Sequence, residues 1–147
     1  MLKLTDEYFM YAALQEADKA YAVKEVPVGA VVVCNNHIVA RAYNQVEQLQ
    51  DPTAHAEMLA LTAACSHVGG KYLSSCTLYV TLEPCCMCSG AAYWAKLGHL
   101  VFGAYDFQRG YSTVGKSPLH PRTRVTEAVL GEESAQRLTH FFQHLRS

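Results

Sequence analysis

The chain has 147 residues, 50% of them hydrophobic and 17% charged, with a formal net charge of −1 and a sequence pI near 6.6. This length suits one domain spanning residues 1–147 that buries its own core, and the composition excludes a disordered or linker-rich chain. It also excludes a global positive field that gathers polyanions, so any nucleic-acid contact has to be a local patch.

Met1 to Glu7 turn acidic before an apolar run develops, which argues against a signal peptide and for a cytoplasmic location. Thr5 then reads as the capping hydroxyl of a first helix, with Asp6 and Glu7 in its first turn. Phe9, Ala12, Ala13, Glu16, Ala17 and Ala20 supply its mostly apolar face. Pro27 and Gly29 punctuate, Val28 to Cys34 reads as a buried strand, and Asn35-Asn36 is a turn signal. His37 to Ala42 pairs back as a second strand.

Asp51-Pro52-Thr53 breaks the chain and prepares a helix from about Ala54 to His67, ended by Gly69-Gly70. Thr77 to Leu82 is a third strand, Cys85 to Lys96 a helix closed by Gly98, and His99 to Phe102 a fourth strand. After a polar loop, Arg124 to Val129 adds a short strand and Glu132 to Arg146 a final helix. Strands alternating with helices after the hairpin imply an α/β sandwich with parallel pairing beyond it. Apolar stretches such as Gly29 to Cys34 are too short to span a bilayer, so no membrane contact is expected.

Two short segments carry chemistry. One is His55-Ala56-Glu57 and the other Pro84-Cys85-Cys86-Met87-Cys88, each opening a helix. In a reducing cytosol the six cysteines are not expected to form a disulfide framework, and a cluster of them points to a metal. Cys85 and Cys88 are spaced i, i+3, on one face of a first turn where amide N–H groups favour thiolates.

One imidazole and two thiolates make three ligands, whereas structural zinc normally has four; an open fourth position holds a water acidified toward neutrality. Glu57, two residues from His55, is placed to move that water's proton to a leaving amine. A lone CxxC is equally found in redox sites and zinc ribbons, but neither explains the coincidence with His55 and Glu57. Cys86 lies about 100° round the helix from Cys85 and should face away from the metal. Cys34, Cys65 and Cys76 read as core residues, and His37 and His67 as solvated turn residues.

The zinc segments resemble the cytidine deaminase superfamily. Adding Glu25-Val26-Pro27-Val28-Gly29-Ala30-Val31-Val32, Asn44, Asp51 to Glu57, Leu78 to Cys85 and Phe102-Gly103-Ala104 narrows the resemblance to the tRNA-specific adenosine deaminase family of bacteria. It implies one Zn2+ per chain on His55, Cys85 and Cys88, with Glu57 as proton donor and acceptor. Asn44 matches an asparagine that hydrogen-bonds a flipped base; Pro27, Val28, Ala56 and Pro84 match pocket walls; Asp106 matches a residue beside the substrate backbone. The implied fold is a three-layer α/β/α sandwich with a central five-stranded mixed sheet flanked by helices. The implied activity is deamination of the wobble adenosine of a tRNA anticodon stem-loop to inosine, by a homodimer.

Read from the residues alone, Asn44 is equally a turn residue and Asp106 equally a surface acid. The chain departs from the family between Asp106 and Arg124, which is short and reads Phe107-Gln108-Arg109-Gly110-Tyr111-Ser112, and His120 to Val125 matches only in part. Arg109, Lys116, Arg122, Arg124, Arg137 and Arg146, with Phe141 and Phe142, form either a basic patch for a splayed single strand or a solvated face with a buried Phe pair. The alternative activity is deamination of a free base or nucleotide of guanine or cytosine type, because Tyr93-Trp94-Ala95-Lys96 is similar to guanine deaminases. A non-catalytic RNA-binding subunit is the third reading, and the presence of Glu57 argues against it.

Overall fold

In the computed structural model, which describes residues 3–145, the first helix starts where its sequence directs it. Helix α1 (Asp6–Ala22) is capped by Thr5, whose hydroxyl accepts the Tyr8 N–H at 3.1 Å. Met1, Leu2, Arg146 and Ser147 lie outside the described residues, and with them Arg146 of the expected basic group.

Strands β1 (Gly29–Cys34) and β2 (His37–Tyr43) form an antiparallel hairpin. Asn35 and Asn36 both take positive φ, 53° and 65°, as a tight hairpin turn requires. Gly29 is where α1 lies on β1: a Cβ there would overlap the Ala13 carbonyl and the Ala17 amide.

A four-residue helix α2 (Val46–Leu49) follows, then α3 (Ala56–Val68), β3 (Cys76–Leu82), α4 (Cys86–Trp94), β4 (His99–Ala104), a 3-10 turn (Tyr111–Val114), β5 (Arg124–Thr126) and α5 (Gly131–Leu145). The sheet runs β2-β1-β3-β4-β5. Pairing is parallel from β3 to β4 and from β4 to β5, but β3 lies antiparallel beside β1. The expected parallel pairing beyond the hairpin holds for β3, β4 and β5, and the hairpin joins them antiparallel, so the sheet is mixed. Strands β2 and β3 run in the same direction on either side of β1, and α3 carries the chain between them across the sheet.

Alternation of side chains gives the sheet two buried faces. Val31, Val33, Tyr79 and Val101 meet Phe9, Met10 and Ala13 of α1. Ala30, Val32, Leu78, Val80, Leu100 and Phe102 lie in the opposite core with Ala56, Ala60 and Ala64 of α3 and Ala92 of α4. Helix α5 stands beside α1, through Tyr21 against His140 and Phe141 and through Arg137 on Asp18 at 2.8 Å. The result is a three-layer α/β/α sandwich around a five-stranded mixed sheet.

Cys34 and Cys76 are buried, as core residues should be, but they are also bonded to each other, which corrects the expectation of free thiols. They face each other directly in the β1–β3 register, with Cα atoms 4.5 Å apart, a distance a cystine spans. Among the described residues no helix is long and apolar enough to cross a membrane.

Candidate metal centre

The two sequence motifs meet at two neighbouring helix starts. His55 is the N-cap of α3 and Cys85 the N-cap of α4, both in extended conformation (ψ 151° and 176°). That geometry turns each side chain back over the first turn of its helix, where unpaired N–H groups point outward. His55 Nδ1 lies 3.8 Å from Cys85 Sγ and 3.6 Å from Cys88 Sγ. The three potential ligand atoms all fall within 4.8 Å of one another, a spacing one tetrahedral cation can bridge.

The protons in this cluster are shared unequally. The Cys88 thiol donating to Cys85 holds Cys85 far below the ordinary thiol range, at about 3, with His55 assisting. Cys88 is pushed up in turn by that bond and by burial. The Cys85 sulfur raises the His55 pKa, and burial works against it. A borderline-soft dication suits this donor set, since it binds thiolates and a neutral imidazole and displaces the remaining protons.

Glu57 sits two residues into α3 and is 4% exposed. Burial pushes its carboxyl up to about 7, with His55 pulling the other way. A carboxyl in that range takes and returns a proton near neutral pH. Cys86 is exposed, as its place on the helix requires.

The remaining expected site residues form the surroundings. Pro27 and Val28 are buried at the mouth of β1, and the Val28 carbonyl accepts the Asn44 N–H at 3.1 Å. Gln45 N–H donates to the Ala54 carbonyl at 3.0 Å, tying the end of β2 to the residue before His55. Asn44 is 8% exposed, and its Nδ2 donates to Glu25 at 3.3 Å, so it is an anchored interior amide rather than a solvated turn residue. Ala56 and Pro84 are buried beside the ligands. Asp106 is half-buried, and its Oδ1 accepts the Gln108 and Arg109 N–H groups at 3.1 and 2.9 Å.

Two of the six basic residues lie away from the triad. Arg124 pairs with His99 at the amino end of β4, whereas Cys85 follows the carboxyl end of the parallel neighbour β3; Arg137 is occupied by Asp18. Phe141 packs against Tyr21 and Phe142 is 43% exposed, so the pair is only half buried. A surface hollow of 590 Å³ beside Tyr105, Phe107 and the start of α5 shares no residue with the triad and has no His or Cys in its walls.

Two acids escaped the sequence reading. Glu25 is 1% exposed and holds Asn44 and the Glu47 and Gln48 N–H groups, the last at 2.7 Å. Glu83 is 2% exposed. No local signal separates these two acids from solvated ones: Glu25 follows Lys24, and Asp51, which like Glu83 precedes a proline, is not buried.

Comparison with known proteins agrees with this geometry. Residues 3–104 match the family model described as the cytidine and deoxycytidylate deaminase zinc-binding region. The chain is 43% identical to the tRNA-specific adenosine deaminase of Aquifex aeolicus over 96% of each chain. It is similar to a structure solved in a study of A-to-I editing by tRNA:A34 deaminases at the wobble position of transfer RNA, with TM-score 0.84, 38% identity and coverage of 89% of this chain and 99% of the other. The X-ray structure of guanine deaminase from Bacillus subtilis is also 38% identical, but with TM-score 0.66 over 69% of this chain and 66% of that one.

Proposed function

Because the chain belongs to the cytidine and deoxycytidylate deaminase zinc-binding family, we propose that it deaminates adenosine to inosine at the wobble position of a tRNA anticodon. The observation that carries the chemistry is the convergence of His55, Cys85 and Cys88 beside the buried carboxyl of Glu57. The choice of substrate is supported by relatives named for tRNA adenosine deamination that match nearly the whole chain.

In this reading the His55 Nδ1 and the Cys85 and Cys88 sulfurs would hold one Zn2+. Zinc with three protein ligands supplies a Lewis acid that makes water nucleophilic near neutral pH. Glu57 takes a proton from the attacking water and returns it to the departing exocyclic nitrogen. Adenosine and water become inosine and ammonia, with no change of oxidation state. Asn44 spends one Nδ2 hydrogen on Glu25 and keeps its second hydrogen and its Oδ1 for the edge of a flipped base. Pro27, Val28, Ala56 and Pro84 wall the base, and Asp106 stands beside the nucleotide backbone.

A homodimer is supported by the exposed aromatic surface of α4, where Trp94 is 77% exposed, and a cytoplasmic location by the likeness to bacterial tRNA deaminases. The competing reading, deamination of a free base, is supported by the likeness to guanine deaminase. Incubation of the zinc-loaded protein with an anticodon stem-loop, guanine and cytosine, followed by nucleoside mass spectrometry, separates them. Inosine in the RNA is expected; turnover of a free base without inosine would replace the first reading with the second.

A further inference from the structure

A buried carboxyl group has to find compensating donors, so where its hydrogen bonds go shows what it organises. Glu83 follows the last residue of β3, precedes Pro84-Cys85, and is 2% exposed. Neither of its oxygens is a member of the metal cluster. Both reach across to the segment after β4: Oε1 accepts the Asp106 N–H at 3.1 Å and Oε2 accepts the Ser112 N–H at 3.0 Å.

The surrounding backbone closes the same loop. Glu83 N–H donates to the Ala104 carbonyl at 2.8 Å, and Tyr111 N–H donates to the Pro84 carbonyl at 2.9 Å. Gly110 passes so near that a Cβ there would overlap the Glu83 carboxylate and the Asp106 carbonyl. Residues 106–112 are therefore wrapped around one side chain, and that side chain belongs to the turn that carries Cys85. Within this segment Asp106 caps a tight turn that fixes the Arg109 N–H, and Arg109 is the one cation between residues 105 and 115.

We infer that Glu83 is a positioning residue for the RNA. It holds the Asp106–Ser112 segment, with Asp106 and Arg109, as a fixed wall beside the metal turn, so that the nucleotides flanking the reacting base meet a rigid surface. The inference rests on reading the substrate as RNA. It gives Glu83 no part in the chemical step and no part in holding zinc. A wall of this kind is made by folding one strand of loop around an internal carboxyl group, and it needs no continuous basic patch.

Two variants attack the anchor from opposite sides. Glu83→Gln keeps the size of the side chain but puts an NH2 group opposite one backbone N–H, and Gly110→Ala pushes the segment off the carboxylate. Each is expected to raise KM for the anticodon stem-loop about tenfold, the effect of leaving one buried amide unpaired. For both variants kcat should stay within about twofold, because the interaction lost is one of binding. Zinc content by elemental analysis should remain that of the wild type. Amide hydrogen exchange at Asp106 and Ser112 should quicken in both variants while exchange along α3 does not.

A fall in kcat or in zinc with KM unchanged would overturn the inference, because Glu83 would then serve the metal turn. Unchanged exchange at Asp106 and Ser112 would overturn it as well. If wild-type protein makes no inosine in RNA, the functional reading fails first, and that outcome shows in the wild type before any variant is compared.

Discussion

Glu57 and Glu83 are almost equally buried, at 4% and 2% exposure, and each lies within two residues of a metal-site side chain. Their surroundings differ. Glu57 stands in the first turn of α3 beside an imidazole and two sulfurs, and burial pushes it to about 7. Glu83 has both oxygens committed to backbone N–H groups of a segment more than twenty residues away in sequence. Burial alone does not make an acid catalytic. A carboxyl becomes a proton carrier when its neighbours leave the proton near balance, and a strut when its oxygens are taken by fixed amide donors.

The contrast separates a chemical region, two helix starts with their ligands, from a positioning region built on long-range anchors. The sharpest way to break it is through the ligands. Cys88→Ala is expected to lose both bound zinc, by elemental assay, and all measurable inosine formation. Glu57→Gln should keep one zinc per chain and the wild-type melting temperature while kcat falls about 10²–10⁴-fold, the usual worth of a positioned proton carrier. Near-normal turnover in that variant would move the acid–base role elsewhere.

Asn44→Ala tests the positioning region, and kcat/KM should fall about tenfold or more as the base edge loses an anchored amide. A smaller effect on turnover is expected from Gly29→Ala, because α1 lies away from the ligands. That substitution should lower stability by about 1–3 kcal/mol, measured by denaturant unfolding, since the new methyl group meets α1 backbone. Cys86→Ala should change neither zinc content nor rate, because its side chain is exposed on the far side of the turn.

These two regions were not equally legible. His55 with Glu57, and Cys85 with Cys88, are readable because each pair is local. Glu57 is two residues from His55, and the two cysteines, three apart, share one face of a first turn. That the two segments meet is a long-range fact. The helices and the four longer strands announce themselves by apolar periodicity and by Thr5, Asn35-Asn36 and Gly69. Helix α2 and the 3-10 turn are four residues each, too short to show a period, and α2 is capped by Glu25 from another part of the chain. The scattering of Arg124 and Arg137 was equally hidden, because closeness in sequence says nothing about which end of a sheet a residue reaches.

By itself the sequence marked out the segments His55-Ala56-Glu57 and Cys85 to Cys88, the hairpin and the alternation that makes a layered α/β fold, since each follows from spacing within one turn or one strand. The tertiary structure alone decided that β3 enters antiparallel to β1, which places Cys76 opposite Cys34. It alone decided that Glu25 and Glu83 turn inward to hold Asn44 and the segment after β4. The physical reason is common to these cases. A buried carboxyl, a cross-strand partner and a strand neighbour are each settled by what lies opposite in space, and that is known only once the chain has closed on itself.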